Sequence, residues 1–248
     1  MGVEKTNGPN GYDLAYVKTP GKSPTIVFLG GYRSDMDGTK ALYLEQLAKE
    51  QGYGFLRFDY GGHGVSGGAF KDGTIGSWTE DALFMIDHQT QGDLILAGSS
   101  MGGWIALLCA LKRPERVKAL LGIAAAPDFT LWIEEELTAQ HRAELAEKGY
   151  FEEPNEYSDE PYLFTAALLE DGRKQALLGG EIALDIPVRL AQGMKDTDVP
   201  WQTAHRIKNA ITGKDVEVLL VETADHRFSR PEDLELLGRT VLDLAARI

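Results

Sequence analysis

Along the chain, short apolar runs alternate with stretches in which apolar residues recur at helical spacing. The runs TIVFLGG (25–31), YGFLRFDY (53–60), DLILAGS (93–99), VKALLGIAAA (117–126), PVRLAQG (187–193) and VEVLLVE (216–222) predict strands, with an earlier strand at 12–18 ahead of the turn TPGKSP. Their near-continuous apolar character is that of strands covered on both faces. Helical spacing falls at 39–51, 77–90, 101–113, 200–211 and 231–247. The last of these opens on Pro231, carries Glu232 and Asp233 where the helix dipole favours acids, and places Leu234, Leu237, Val241 and Leu244 on one face. The alternation predicts an α/β fold, with a mostly parallel central sheet and helices on both of its faces.

One stretch breaks the rhythm. Residues 128–182 show helical patterning and no clear sheet strand, and interrupt the sheet between two of its strands. They read as a lid inserted into a single domain spanning 1–248. Within 128–180 lie 13 Asp and Glu against 4 Lys and Arg, so most of the net charge of −13 resides there. That charge opposes binding to nucleic acid or to anionic headgroups. No run reaches membrane-spanning length. The N-terminal residues lack a secretory apolar core, which points to a cytoplasmic protein. The one cysteine, Cys109, sits among leucines as a buried thiol and excludes an internal disulfide.

Candidate chemistry starts in LILAGSSMGGWIAL (94–107), where two serines separate an apolar run from an amphipathic helix. In the pattern G-x-S-x-G the central serine occupies a tight strand-to-helix turn, and the positions two before and two after it approach closely. Centred on Ser100, those positions are Gly98 and Gly102. Centred on Ser99, they are Ala97 and Met101, and Met101 is too bulky. Ser100 is therefore the predicted nucleophile. The Met101 N–H, opening a helix, is an unpaired donor beside the place where an oxyanion would form.

A serine needs a base, and the base needs an acid to orient it. His226, in ETADHRFS, lies at a strand end on the predicted ligand edge. His63, in a glycine-rich loop, reads as a structural turn residue. His88 and His205 fall in helices and His141 in the insertion, where solvated or packed roles are expected. Asp196 and Asp198 follow a strand end; Asp225 adjoins His226, and Asp128 is a further strand-end carboxylate. The order Ser100, Asp196, His226 matches that of one hydrolase fold.

At this point the sequence resembles the α/β-hydrolase superfamily over nearly its whole length. GSSMGG resembles its nucleophile elbow and DYGGHGVSGG its D-Y-x-G-x-G-x-S loop. GMKDTDVP is similar to its G-x-x-D-x-x-V-P acid loop, which implies Asp196 as the acid, and DHRF to its base loop, which implies His226. FLGGYRSDM resembles its H-G-x oxyanion loop, implying the Tyr32 N–H as the second oxyanion donor, with Gly30 replacing the family's histidine. FLGGYRSDM, GMKDTDVPW and DHRFS together resemble bacterial relatives of the subgroup that contains a mitochondrial acyl-glucuronide esterase, also described as a palmitoyl-protein thioesterase.

The function so implied is hydrolysis of a small carboxylic ester or thioester by a Ser-His-Asp triad, with no metal or cofactor. Trp132, Tyr150, Phe151, Tyr157, Tyr162 and Phe164 of the insertion either line an apolar acyl pocket or form the lid's own core. Trp132 and Phe164 are candidate substrate contacts. Arg33 and Lys195 are the basic residues expected beside the site, each able to pair with a substrate carboxylate. Two other classes compete. Gly62–Gly67 spells G-x-G-x-x-G, but no helix period follows at once, as a dinucleotide site requires. A hydrolase-like fold used only for binding is the other. The pattern does not fix the oligomeric state.

Overall fold

The computed structural model describes residues 2–154 and 161–248. The chain runs β1 (Glu4–Asn7), β2 (Asp13–Thr19), β3 (Lys22–Leu29), α1 (Thr39–Glu50), β4 (Tyr53–Phe58), α2 (Ile75–Gln89), β5 (Leu94–Ser99), α3 (Met101–Lys112), β6 (Val117–Ile123), α4 (Phe129–Glu136), α5 (Ala139–Lys148), β7 (Tyr150–Glu153), β8 (Tyr162–Thr165), α6 (Ala166–Lys174), β9 (Val188–Gly193), α7 (Gln202–Ala210), β10 (Val216–Val221) and α8 (Pro231–Ala245). Each strand and helix expected from the pattern is present, with ends shifted by a few residues. The strand expected at 117–126 stops at Ile123, because Ala124 turns the backbone to φ 45°. Helix α2 starts earlier than its apolar spacing suggested, because Thr74 and Ser77 cap it reciprocally.

Eight strands form one sheet in the order β1-β2-β4-β3-β5-β6-β9-β10. Strands β1 and β2 are antiparallel additions at one edge, and the other six run parallel. Strand β1, EKTN, is polar and mostly exposed, so no apolar pattern marked it. Helices α1 and α8 cover one face through Ala41, Leu44, Leu237, Val241 and Leu244. Helices α2, α3 and α7 cover the other through Trp78, Met85, Trp104 and Ile207. Helix α3 is not amphipathic as expected: residues 101–110 are all buried, because α3 lies between the sheet, α2 and the segment above it.

The register brings the C-terminal ends of the central strands level. Leu29 pairs with Gly98, Gly98 with Gly122, Ile123 with Ala191, and Gly193 with Val221. The loops after β3, β5, β9 and β10 therefore open on one edge. Strands β3 and β5 are neighbours although β4 lies between them in sequence, so the chain order reverses here. The crevice outside carboxyl ends at such a reversal is where open α/β sheets bind ligands.

The segment between β6 and β9 is built apart from the large sheet. Its helices α4–α6 accompany a two-stranded antiparallel pair, β7 with β8, which corrects the expectation of helices alone. The two strands are short and need only each other, so they carry no long apolar run. Asp128 ties the segment down: its carboxylate accepts from the N–H groups of Leu177 and Leu178. Trp104 Nε1 donates to the Gln175 carbonyl, and the Gly76 N–H donates to Asp171. Asp128 is thus a structural anchor rather than a partner for a base.

Candidate active site

Ser100 stands at φ 54°, ψ −121°, a region costing roughly 1–3 kcal/mol for a side-chain-bearing residue. Its surroundings over-determine that conformation. The Ser100 N–H donates to the Ile123 carbonyl at 2.9 Å, and its own carbonyl accepts from Gly103 at 2.9 Å and Ala126 at 3.1 Å. A Cβ at Gly98 would overlap the Gly102 carbonyl, and one at Gly102 would overlap the Leu29 carbonyl. Both glycines are required, and they centre the turn on Ser100. Ser99 is buried beside it.

Asp196 follows β9, and its side chain is fully shielded from solvent. One oxygen accepts from Asp198 N–H at 3.0 Å and Val199 N–H at 2.8 Å. The other accepts from Gln192 Nε2 at 2.8 Å and lies 2.9 Å from His226 Nδ1. A carboxylate only accepts, so Nδ1 carries a proton, and in the neutral ring the lone pair is on Nε2. Of the four candidate carboxylates, Asp196 is the one bonded to His226. Asp225 instead accepts from the Phe228 N–H within its own turn. Asp198 lies 3.9 Å from Nε2 on the open side of the ring.

Ser100 and His226 face one cleft of about 1130 Å³. Among the described residues no hydrogen bond joins the two side chains in this arrangement; in unliganded sites such bonds are commonly loose and tighten with substrate. The other histidines have the bystander roles expected. His88 stacks on Phe84, His141 on Phe151, and His205 meets the Trp201 edge.

The loop after β3 completes the site. A Cβ on Gly31 would lie 3.3 Å from that of Ser100, so the backbone leading into Tyr32 abuts Ser100. Arg33 is held at φ 55°, with its N–H 3.3 Å from His63 Nε2. His63 is buried among Tyr60, Phe70 and Trp78, and its Nδ1 lies 3.3 Å from the Gly61 carbonyl. Burial pushes its pKa down to about 4, so it stays neutral and accepts from Arg33. The turn residue read from sequence is thus also the anchor of the loop that carries Gly30, Gly31 and Tyr32.

The cleft is lined by Tyr32, Phe129, Trp132, Tyr162 and Phe164, and Arg33 also lines it. Of the insertion's aromatics, Trp132, Tyr162 and Phe164 therefore reach the cleft, Phe151 packs inside the insertion, and Tyr150 is exposed. Tyr157 lies outside the described residues. Lys195 is exposed and does not line the cleft, since its N–H joins Ala224 and its side chain turns to solvent. Lys40, Arg206 and Arg227 line it instead. Lys40 and Arg206 come from helix positions with no motif, whereas Arg227 lies in DHRF beside His226, the one visible signal. Burial pushes the Lys40 ammonium down to about 8, and its Nζ donates to the Arg227 carbonyl at 2.5 Å. After Gly62–Gly67 the chain makes only a short 3₁₀ turn at Phe70–Asp72 before α2, so no helix N-terminus stands ready for a pyrophosphate.

Comparison with known proteins adds to this geometry. Residues 22–159 match the model of a family described as serine aminopeptidase, S33. The chain is 40% identical over 243 residues to a mitochondrial palmitoyl-protein thioesterase, ABHD10, of Pongo abelii, covering 98% of this chain and 79% of that protein. Among solved structures it is similar to a putative hydrolase from Agrobacterium vitis S4, at 45% identity and a TM-score of 0.94, covering 99% of this chain and 100% of that one. It is also similar to mouse alpha/beta hydrolase domain-containing protein 10, at 37% identity and a TM-score of 0.93, covering 100% of this chain and 99% of that one.

Proposed function

The chain belongs to the α/β-hydrolase family described as serine aminopeptidase, S33, as a relative of the ABHD10 thioesterases, and on that premise we propose that it cleaves carboxylic esters or thioesters through an acyl-enzyme on Ser100. The observation that carries this reading is the 2.9 Å contact between His226 Nδ1 and Asp196 at the cleft that Ser100 enters on a strained turn. His226 Nε2 takes the Ser100 proton as Oγ attacks the acyl carbon. The N–H groups of Tyr32 and Met101 bind the resulting oxyanion. His226 then protonates the departing alcohol or thiol, and water, activated by the same imidazole, releases the acid. Asp196 stays ionised and keeps the proton on Nδ1.

In this reading residues 128–182 form a lid whose Trp132, Tyr162 and Phe164 receive the acyl chain. The ABHD10 relatives are named as palmitoyl-protein thioesterases, which favours long-chain thioesters among the substrates. Arg33, Lys40, Arg206 and Arg227 offer cations on the leaving-group side. Among the described residues no helix is long and apolar enough to cross a membrane.

The test is a fluorophosphonate probe with peptide mapping, beside turnover of paired oxygen and sulfur esters of graded chain length. Labelling at Ser100 that is lost in Ser100→Ala, with parallel loss of turnover, is expected. An unlabelled protein that turns over no ester would instead be a binder on a hydrolase fold.

A further inference from the structure

The oxyanion donor assigned to Tyr32 belongs to a loop that no strand holds. Strand β3 ends at Leu29, and beyond it residues 31–34 close a turn in which the Ser34 N–H donates to the Gly31 carbonyl at 3.1 Å; contacts elsewhere tie that turn to the rest of the protein. One anchor is His63, which fixes the Arg33 N–H from the body of the domain. The other is the phenol of Tyr32 itself, whose hydroxyl donates to the Leu163 carbonyl in β8 of the insertion. The ring sits between the two bodies. It meets Phe70 at 4.9 Å and Trp78 at 5.8 Å on the domain side. On the insertion side it stacks on Phe164 at 5.6 Å and 10° and meets Phe129 at 5.7 Å. One residue thus presents its N–H to the reaction and its side chain to the insertion.

We propose that the Tyr32 side chain is a positioning element, through which β8 of the insertion sets the direction of the Tyr32 N–H in the oxyanion hole. The inference rests on the reading of Ser100 and Tyr32 given above. Its physical basis is geometric. An oxyanion donor acts only when aimed where the charge develops, and its support must hold it to about half an ångström. The peptide N–H of Tyr32 and its Cβ share one Cα, so a shift of β8 that draws the phenol along turns that donor. Acyl chains packing against Phe164 press on the same strand, and the occupancy of the acyl side is thereby felt in the chemical step.

The Tyr32→Phe variant keeps the ring and removes only the hydroxyl bonded to β8. Phe164→Leu removes the stacked ring and leaves the oxyanion loop untouched. Both are compared with the parent for kcat and KM on a short-chain aryl ester. Affinity is measured for an alkylboronic acid, which becomes tetrahedral on the serine, and for the carboxylic acid product, which stays planar. The expected result is a fall in kcat of about tenfold in Tyr32→Phe, the effect of one lost hydrogen bond passed to one donor. KM and product affinity stay within about twofold, and boronate affinity falls in step with kcat. Phe164→Leu lowers kcat and boronate affinity together at smaller size on the short-chain ester, and because its ring also lines the cleft its KM rises only for acyl chains long enough to reach it. Unchanged kcat and boronate affinity in both variants, with Ser100 still labelled by the fluorophosphonate, overturns the coupling alone. A change confined to KM also overturns it, since it would show that the insertion only binds. A parent protein that neither labels nor turns over ester overturns the underlying hydrolase reading and the coupling with it.

Discussion

Gly193 and Ala224 touch across the two loops that carry Asp196 and His226: a Cβ at Gly193 would overlap the Ala224 carbonyl oxygen and come within 2.8 Å of the Asp225 carbonyl. Gly193 ends β9 three residues before Asp196, and Ala224 precedes His226 by two. The Lys195 N–H donates to the same Ala224 carbonyl at 3.0 Å. The 2.9 Å spacing of Asp196 and His226 is therefore set by backbone contact as much as by their own attraction. Gly193→Ala has no flexible side chain to push aside. It should lower kcat/KM by at least about 10², the cost of misplacing a catalytic group by about an ångström. Steady-state kinetics on an aryl ester would show this, with circular dichroism verifying the fold.

Asp196→Asn tests the tautomer. An amide in that place presents either a donor or an acceptor to Nδ1, and the buried bonds from Val199 and Asp198 favour keeping its oxygen toward them. Its NH₂ would then face His226 and force the ring proton to Nε2, where it blocks deprotonation of Ser100. A loss of about 10⁴ in kcat is expected, with substrate binding retained. A loss of less than about tenfold would remove Asp196 from the role given to it here.

The strands and the turn at Ser100 were legible because each rests on a local rule. Apolar runs marked buried strands, and the spacing of Gly98 and Gly102 about Ser100 marked a turn that only small residues permit. Strand-end position alone left Asp196 and Asp198 equivalent, and only the resemblance of GMKDTDVP to an acid loop pointed to Asp196; in three dimensions the Gln192 amide and two backbone N–H groups converge on Asp196. Strands β7 and β8 stayed hidden because four residues with one partner leave no period. Lys195 lies outside the cleft and Lys40, Arg206 and Arg227 line it, because sequence proximity to a motif does not determine which way a long side chain turns.

The neutral state of His63 gives a pH signature. Its folded-state pKa of about 4 lies below the ordinary value of about 6.5, so the unfolded chain binds the extra proton first. Its contribution to stability is complete above about pH 6.5 and is lost as pH falls through the window to about 4, a total of roughly 3 kcal/mol. Urea unfolding at a series of pH values between 7 and 4.5 should show the parent losing stability faster than His63→Gln, whose amide oxygen accepts without titrating. Parallel slopes for the two proteins would mean that this histidine is not held neutral.

In the proposed reading Trp132 lies along the path of the acyl chain. It lines the cleft from α4, in the insertion, and bonds to none of Ser100, Asp196 and His226. Burying one methylene contributes about 0.8 kcal/mol, so an indole that covers two of them contributes roughly tenfold in affinity. Trp132→Ala should therefore raise KM by about tenfold on esters long enough to reach it and leave short-chain esters within about twofold. The lengths at which the two proteins diverge would measure how far the indole stands from Ser100. Equal effects on all lengths would place Trp132 in the support of the insertion rather than along the chain's path.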